Sequence, residues 1–197
     1  MTDAMTILLA LLIGYGLGSV PFGLIFTRLA GKGDIRAIGS GNIGATNVLR
    51  SGSKLLALAT LLADAAKGFL AVAIVWQWGN DQASFLAGLA ALAGHIFPIW
   101  LNFKGGKGVA VFIGVLLMMS PLPGLLFLFV WLLVAVIFRF SSLAAIVAML
   151  VAPLAVAFFN EYDTLPYLIV MVGLSLYAHR DNIARLRAGT EPKIGQG

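Results

Sequence analysis

Residues 5–27 contain no charged side chain. A run of that length and character has to pair its backbone N–H and C=O groups within itself, so it reads as a membrane-spanning helix. No basic residue precedes it and it is too long for a signal-peptide core, so it is expected to be a retained first span. Six more apolar runs follow, at 56–78, 83–101, 108–120, 121–138, 142–158 and 165–178. Only 11% of the chain is charged, where a soluble domain carries about a quarter. The expectation is an all-α integral membrane protein with seven transmembrane helices, forming one membrane-embedded domain over residues 1–197. Several runs fall short of the roughly 20 residues that a bilayer requires, so tilt or local thinning is implied. The weakest division is "SPLP" at 120–123, where two prolines either turn the chain or kink one long helix.

The basic residues choose between those options and set the orientation. Arg28, Lys32, Arg36, Arg50 and Lys54 lie between the first two runs, Lys104 and Lys107 follow the third, and Arg139 follows the fifth. Arg180, Arg185, Arg187 and Lys193 follow the seventh, and Lys67 alone lies inside a run. The opposite connections, "QWGNDQ", "SPLP" and "NEYDT", contain no lysine or arginine. Positive-inside bias then places the N-terminus outside and the C-terminus in the cytoplasm. This alternation requires a turn at "SPLP". The net charge of +5 therefore needs no nucleic-acid partner; the bilayer explains it. The chain has no cysteine, which excludes thiol nucleophiles and thiolate metal sites. Two histidines, His95 and His179, with few carboxylates argue against a metal centre.

Three polar stretches lie on the cationic side. In "GSGNIGATNVLR", residues 39–50, successive glycine amides can form an anion nest that feeds a helix start near Thr46. Ser40, Asn42 and Asn47 would add side-chain donors, and Arg50, one turn in, can return to the loop. A plain turn is the bland alternative. The second stretch, "FKGGKG", repeats the chemistry: Lys104 and Lys107 flank Gly105 and Gly106. Positive-inside anchoring explains the lysines but not the glycine pair. The third continues the last span as an amphipathic helix, with Ser175, His179 and Asn182 on one face and Gly189 as its C-cap. Arg180 and Arg185 either face phosphates or reach lipid headgroups.

Asp64 and Lys67 are i, i+3 neighbours within the second run. Counting back from Trp76 and Trp78 puts Lys67 roughly 15 Å from the outer boundary, close to mid-membrane. A buried intramembrane charge is a functional candidate, and a structural ion pair is the equal alternative. His95 is expected about two turns from the end of the third span, with Pro98 freeing a carbonyl nearby. A lone histidine there is more often a packing residue.

Together, "GSGNIGATNVLR" at 39–50, "DAAKG" at 64–68, "GHIFPIWLNFKGGKGVA" at 94–110 and "HRDNIARLRAGTE" at 179–191 resemble the bacterial glycerol-3-phosphate acyltransferases of the PlsY type. The resemblance spans nearly the whole chain. It implies a seven-helix enzyme of the bacterial cytoplasmic (inner) membrane, with its active site at the cytoplasmic face. The reaction would move an acyl group from acyl phosphate to the 1-position of sn-glycerol 3-phosphate, giving lysophosphatidic acid and phosphate. The family's phosphate-binding serine and arginine fall on Ser40 and Arg50, and its glycine-loop lysines on Lys104 and Lys107. Its further histidines and asparagine fall on His95, His179 and Asn182. The catalytic set so implied is His95, Lys104 and Asn182. The binding set is Ser40, Gly41, Asn42, Thr46, Asn47, Arg50, Lys67, Gly105, Gly106, Lys107, His179 and Arg180. No cofactor, no metal and no particular protein partner is implied.

The physical reading is consistent with this. Two phosphorylated substrates repel each other unless cations surround them, and an acyl phosphate is already activated, so no enzyme nucleophile is required. The acceptor hydroxyl needs a base: His95 or the donor's own phosphate would serve. The HxxxxD acyltransferases place an aspartate five residues after histidine; here those positions are Trp100 and Ala184. A transporter of phosphorylated metabolites is the alternative from another class. It usually shows internal repeats and a site reachable from both sides, whereas these motifs are one-sided and no repeat is visible.

Overall fold

The computed structural model describes residues 3–195, and every regular element among them is a helix. Five segments are long and apolar enough to cross a membrane: Asp3–Leu29, Lys54–Trp76, Asp81–Leu101, Pro121–Phe138 and Ser141–Phe158. Val109–Met119 and Tyr162–Ala178 are shorter apolar helices. Large apolar side chains such as Leu55, Val136, Leu154 and Phe158 are turned outward, each at least 70% exposed, as suits contact with lipid. The chain divides after Val115 into two compact units.

The first unit holds α1 (Asp3–Gly18), α2 (Phe22–Leu29), α3 (Ala45–Arg50), α4 (Lys54–Trp76), α5 (Asp81–Ile96) and the first turns of α6 (Val109–Met119). The sequence suggested one continuous span over 5–27; the structure breaks it at residues 19–21. Pro21 has no N–H to continue the helical ladder. The carbonyls freed at the break find distant donors. Trp100 Nε1 donates to Ser19 O at 2.8 Å and Lys67 Nζ to Val20 O at 2.7 Å. In an apolar setting such groups need partners, so the break and the two side chains belong together. The span expected at 83–101 lies within Asp81–Leu101, where α5 ends at Ile96 and Pro98 opens a separate 3₁₀ turn, Ile99–Leu101.

Small residues let these helices touch backbone to backbone. A Cβ on Gly14 or Gly18 of α1 would fall on the carbonyl of Ala87 or Ala91 of α5. One on Gly68 of α4 would meet the Val111 carbonyl of α6. This is the packing expected where lipid removes the hydrophobic drive between helices and van der Waals contact has to replace it. Side-chain caps start α4 and α5, where Ser53 accepts from Leu56 N and Asn80 from Ala83 N.

The second unit holds the end of α6 with α7 (Pro121–Phe138), α8 (Ser141–Phe158), α9 (Leu165–Ala178) and α10 (Arg180–Arg187). At "SPLP" a single non-helical residue, Ser120, separates α6 from α7. A Cβ on Gly124 would come within 3.0 Å of the Leu117 backbone, so the glycine permits a tight corner. Arg139 in a left-handed conformation ends α7, and the tail returns there, Ile194 N donating to Arg139 O at 2.6 Å. The last polar stretch does not simply continue α9; His179 interrupts it before α10 begins. Gly189 caps α10 at φ +70°, with Thr190 N bonded to Arg185 O.

Candidate active site

The first polar loop is built around Asn47. Its amide nitrogen donates to the carbonyls of Ile35 at 2.7 Å, Asn42 at 2.8 Å and Ile38 at 3.2 Å, and its oxygen accepts from Ser40 N at 3.1 Å. Asn47 is buried, so its side chain shapes the loop. Asn42 is likewise an acceptor here, its Oδ1 taking the Gly44 N–H. Gly41 N donates to Ile38 O. These bonds correct the expectation of a nest of open glycine amides: the N–H groups of Ser40, Gly41 and Gly44 are engaged within the loop. The positive φ of Gly39 and Gly41 serves the turn itself. Ser40 and Thr46 are exposed at the loop edge.

The two flanking arginines differ. Arg36 is ion-paired with Asp34 at 2.6 Å, and Arg28 joins the same carboxylate at 3.0 Å. The Arg36 guanidinium holds the Asp34 carboxyl well below the usual carboxylate range. Arg50, by contrast, ends α3 and folds back over the loop. Its Cδ and Nη1 would lie 2.7 and 3.1 Å from a Cβ on Gly39, and it forms no ion pair with another described residue.

His95 is the penultimate residue of α5, and the candidate span runs on to Leu101. It is buried between a charged pair and the second glycine loop. Lys67 Nζ lies 2.9 Å from His95 Nδ1 and 2.8 Å from Asp64 Oδ1, and Asp64 Oδ1 is 3.8 Å from His95 Nδ1. All three side chains are at most 4% exposed. On the other side the loop folds back to cap α5, with Gly105 N donating to Ile96 O at 3.0 Å and Gly106 N to His95 O at 2.9 Å. Any Cβ on Gly106 would strike His95 Nε2, and one on Gly105 would strike the His95 carbonyl. The glycine pair is therefore required for close approach to the histidine. Lys104 is exposed and Lys107 half-buried on this loop.

In the second unit, Ser175, His179 and Asn182 share a buried face, as their spacing suggested. His179 Nδ1 bonds to Ser175 O at 2.8 Å. Asn182 Nδ2 donates to Glu191 Oε1 at 2.6 Å, while its own oxygen is buried without a partner among the described residues. Glu191 also accepts from Ser142 at 2.6 Å and Arg185 at 2.7 Å. Partial burial works to raise the Glu191 pKa, but these hydrogen bonds outweigh it and hold the carboxyl below its ordinary value. Glu191 had no role in the sequence reading; its signal was its place two residues after the Gly189 cap. Arg180 is exposed and lies back over the Tyr177 ring, 4.7 Å from its centroid.

A family model described as glycerol-3-phosphate acyltransferase matches residues 8–189. A glycerol-3-phosphate acyltransferase of Agrobacterium fabrum (strain C58 / ATCC 33970) is 56% identical, covering 95% of this chain and 92% of its own length. One from Sinorhizobium medicae (strain WSM419) is 55% identical, covering 96% and 93%. Among solved structures, a crystal structure of PlsY, an integral membrane glycerol 3-phosphate acyltransferase, in its glycerol 3-phosphate form is 39% identical with a TM-score of 0.89, covering 95% of this chain and 94% of that one. Its lysophosphatidic acid form gives a TM-score of 0.87 at the same identity and coverage.

Proposed function

The chain belongs to the glycerol-3-phosphate acyltransferase family, and on that premise we propose that it moves a fatty acyl group from acyl phosphate to the 1-position of sn-glycerol 3-phosphate. The new bond joins the acceptor oxygen to the acyl carbonyl carbon, and the acyl–phosphate C–O bond breaks. The hydroxyl proton ends on the released phosphate, whether directly or through the protein. The products are lysophosphatidic acid and hydrogen phosphate. The chain acts as one membrane-embedded domain of seven spans in the bacterial inner membrane, N-terminus outside, with its chemistry at the cytoplasmic face. The one-sided lysines and arginines support that orientation.

The observation that carries the reading is the contact between His95 and the Gly105–Gly106 loop, with Lys104 and Lys107 on either side of the pair. It puts a buried imidazole beneath a cationic loop, a setting suited to negative charge on a phosphate and on the acyl oxygen. Ser40 and Arg50 supply a second anion-binding edge. His179 and Asn182 are assigned to substrate binding and catalysis, Asn182 through its free oxygen. Thr46 and Arg180 complete the binding assignment, with Arg180 in the weakest position because it already rests on Tyr177, and Lys67 stands behind His95.

Purified protein in detergent tests the donor. Phosphate release should require both acyl phosphate and glycerol 3-phosphate, with lysophosphatidic acid as product. Efficient turnover with acyl-CoA, in a preparation free of acyl phosphate, would overturn the donor assignment.

A further inference from the structure

Lys67 Nζ donates to Val20 O at 2.7 Å and lies 2.9 Å from His95 Nδ1, while Asp64 Oδ1, 2.8 Å away, is its ion-pair partner. An ammonium has three N–H donors and no lone pair. A backbone carbonyl only accepts, and the lysine is taken as the ammonium partner of the carboxylate 2.8 Å away. The nitrogen facing His95 therefore presents a proton, and Nδ1 has to receive it with its lone pair. A neutral imidazole that accepts at Nδ1 carries its hydrogen on Nε2. A doubly protonated ring would set two donors against each other at 2.9 Å. The bare Nε2 lone pair that a general base needs is absent from this arrangement. Nε2 instead faces the Gly106 backbone, on the side of the cationic loop.

We propose that Lys67, held by Asp64 and by the Val20 carbonyl at the Pro21 break, is a positioning residue that fixes His95 as an Nε2–H hydrogen-bond donor rather than a proton acceptor. Its ligand is an anionic or developing oxyanion oxygen of the acyl phosphate at the Gly105–Gly106 loop. Donation moves no proton in the chemical step. This role in catalysis rests on the acyltransferase reading above, whereas the tautomer itself does not.

The chain has two histidines, so ¹⁵N-histidine labelling gives a spectrum of two rings. The set lost in His95→Gln identifies His95. In substrate-free protein in detergent, long-range ¹⁵N–¹H correlation should show the His95 proton on Nε2 alone. A proton on Nδ1, or on both nitrogens, overturns the proposal whatever the activity. In the double variant Asp64→Leu/Lys67→Met, which removes both buried charges together, the single tautomer should give way to a mixture. Retention of Nε2–H alone there would show that Lys67 does not set it. Kinetics test the donor role separately. Glutamine places an amide N–H near the position of Nε2, so His95→Gln should keep about 10- to 150-fold more kcat than His95→Ala, the worth of one hydrogen bond to a charged oxygen. Equal kcat in the two folded variants would overturn the donor role. Loss of turnover with acyl phosphate in the wild-type protein would instead defeat the reaction, leaving the tautomer result standing.

Discussion

At the scale of residues, two arginines of equal charge flank the first loop and do different work. Arg36 is held by Asp34, an exposed pair of the kind that contributes about 0–1 kcal/mol. Arg50 bends over Gly39 without a carboxylate partner. Since several loop amides are engaged with Asn47, Asn42 and Ile38, the arginine fork carries more of any phosphate binding than the sequence implied. Lysine keeps the charge but loses the planar fork. Arg50→Lys should lower kcat/KM for glycerol 3-phosphate about 10- to 150-fold, the effect of losing roughly 1.5–3 kcal/mol of charge-assisted bonding. Arg36→Lys should stay within a few-fold of wild type. A wild-type value for Arg50→Lys, with either substrate varied, would reduce the loop to an ordinary turn.

At the scale of elements, the glycines of α1 separate packing from propensity. Gly18 lies against Ala91 of α5, where a Cβ would strike backbone that has no room to yield. Gly16, two residues earlier, has nothing within 4 Å of its Cβ position. Gly18→Ala should destabilise the protein by about 1–3 kcal/mol through overpacking. Gly16→Ala should be neutral or stabilising, because alanine is the better helix former by up to about 1 kcal/mol. Thermal unfolding in one detergent should therefore move the two midpoints in opposite directions, or leave Gly16→Ala unmoved. A lowered midpoint for both would mean that α1 tolerates no side chain on either face. "GYGLG" reads alike for either glycine, because apolar runs carry little polar contrast to mark a buried side.

At the scale of the whole molecule, helix length bears on how often the chain crosses the bilayer. Five segments meet the length criterion and two apolar helices are shorter, so seven crossings require tilt or thinning at α6 and α9. The absence of cysteine gives thiol labelling no background. A cysteine at Ser53 should react with an impermeant reagent only from the cytoplasmic side, and one at Asn80 only from outside. Reaction of the Ser53 position from outside would reverse the orientation.

Hydropathy and the placement of cations were sufficient for a multi-pass helical protein, because lipid permits few ways to satisfy a backbone. The motif spacings likewise indicated the family, and Ser175, His179 and Asn182, spaced as on one helical face, are all buried. Other features depended on groups distant in the chain. That Pro21 splits the first run is visible as a proline, but not that Lys67 and Trp100 satisfy the carbonyls it exposes. That Asn47 organises the first loop, rather than facing a ligand, depends on carbonyls 5 to 12 residues away. The sequence placed Asp64 and Lys67 one helical turn apart; only tertiary packing brought His95, 28 residues on, to within 2.9 Å of the lysine Nζ. Local patterns report period and polarity, whereas the direction of a hydrogen bond is decided by whichever partner the packed helices deliver.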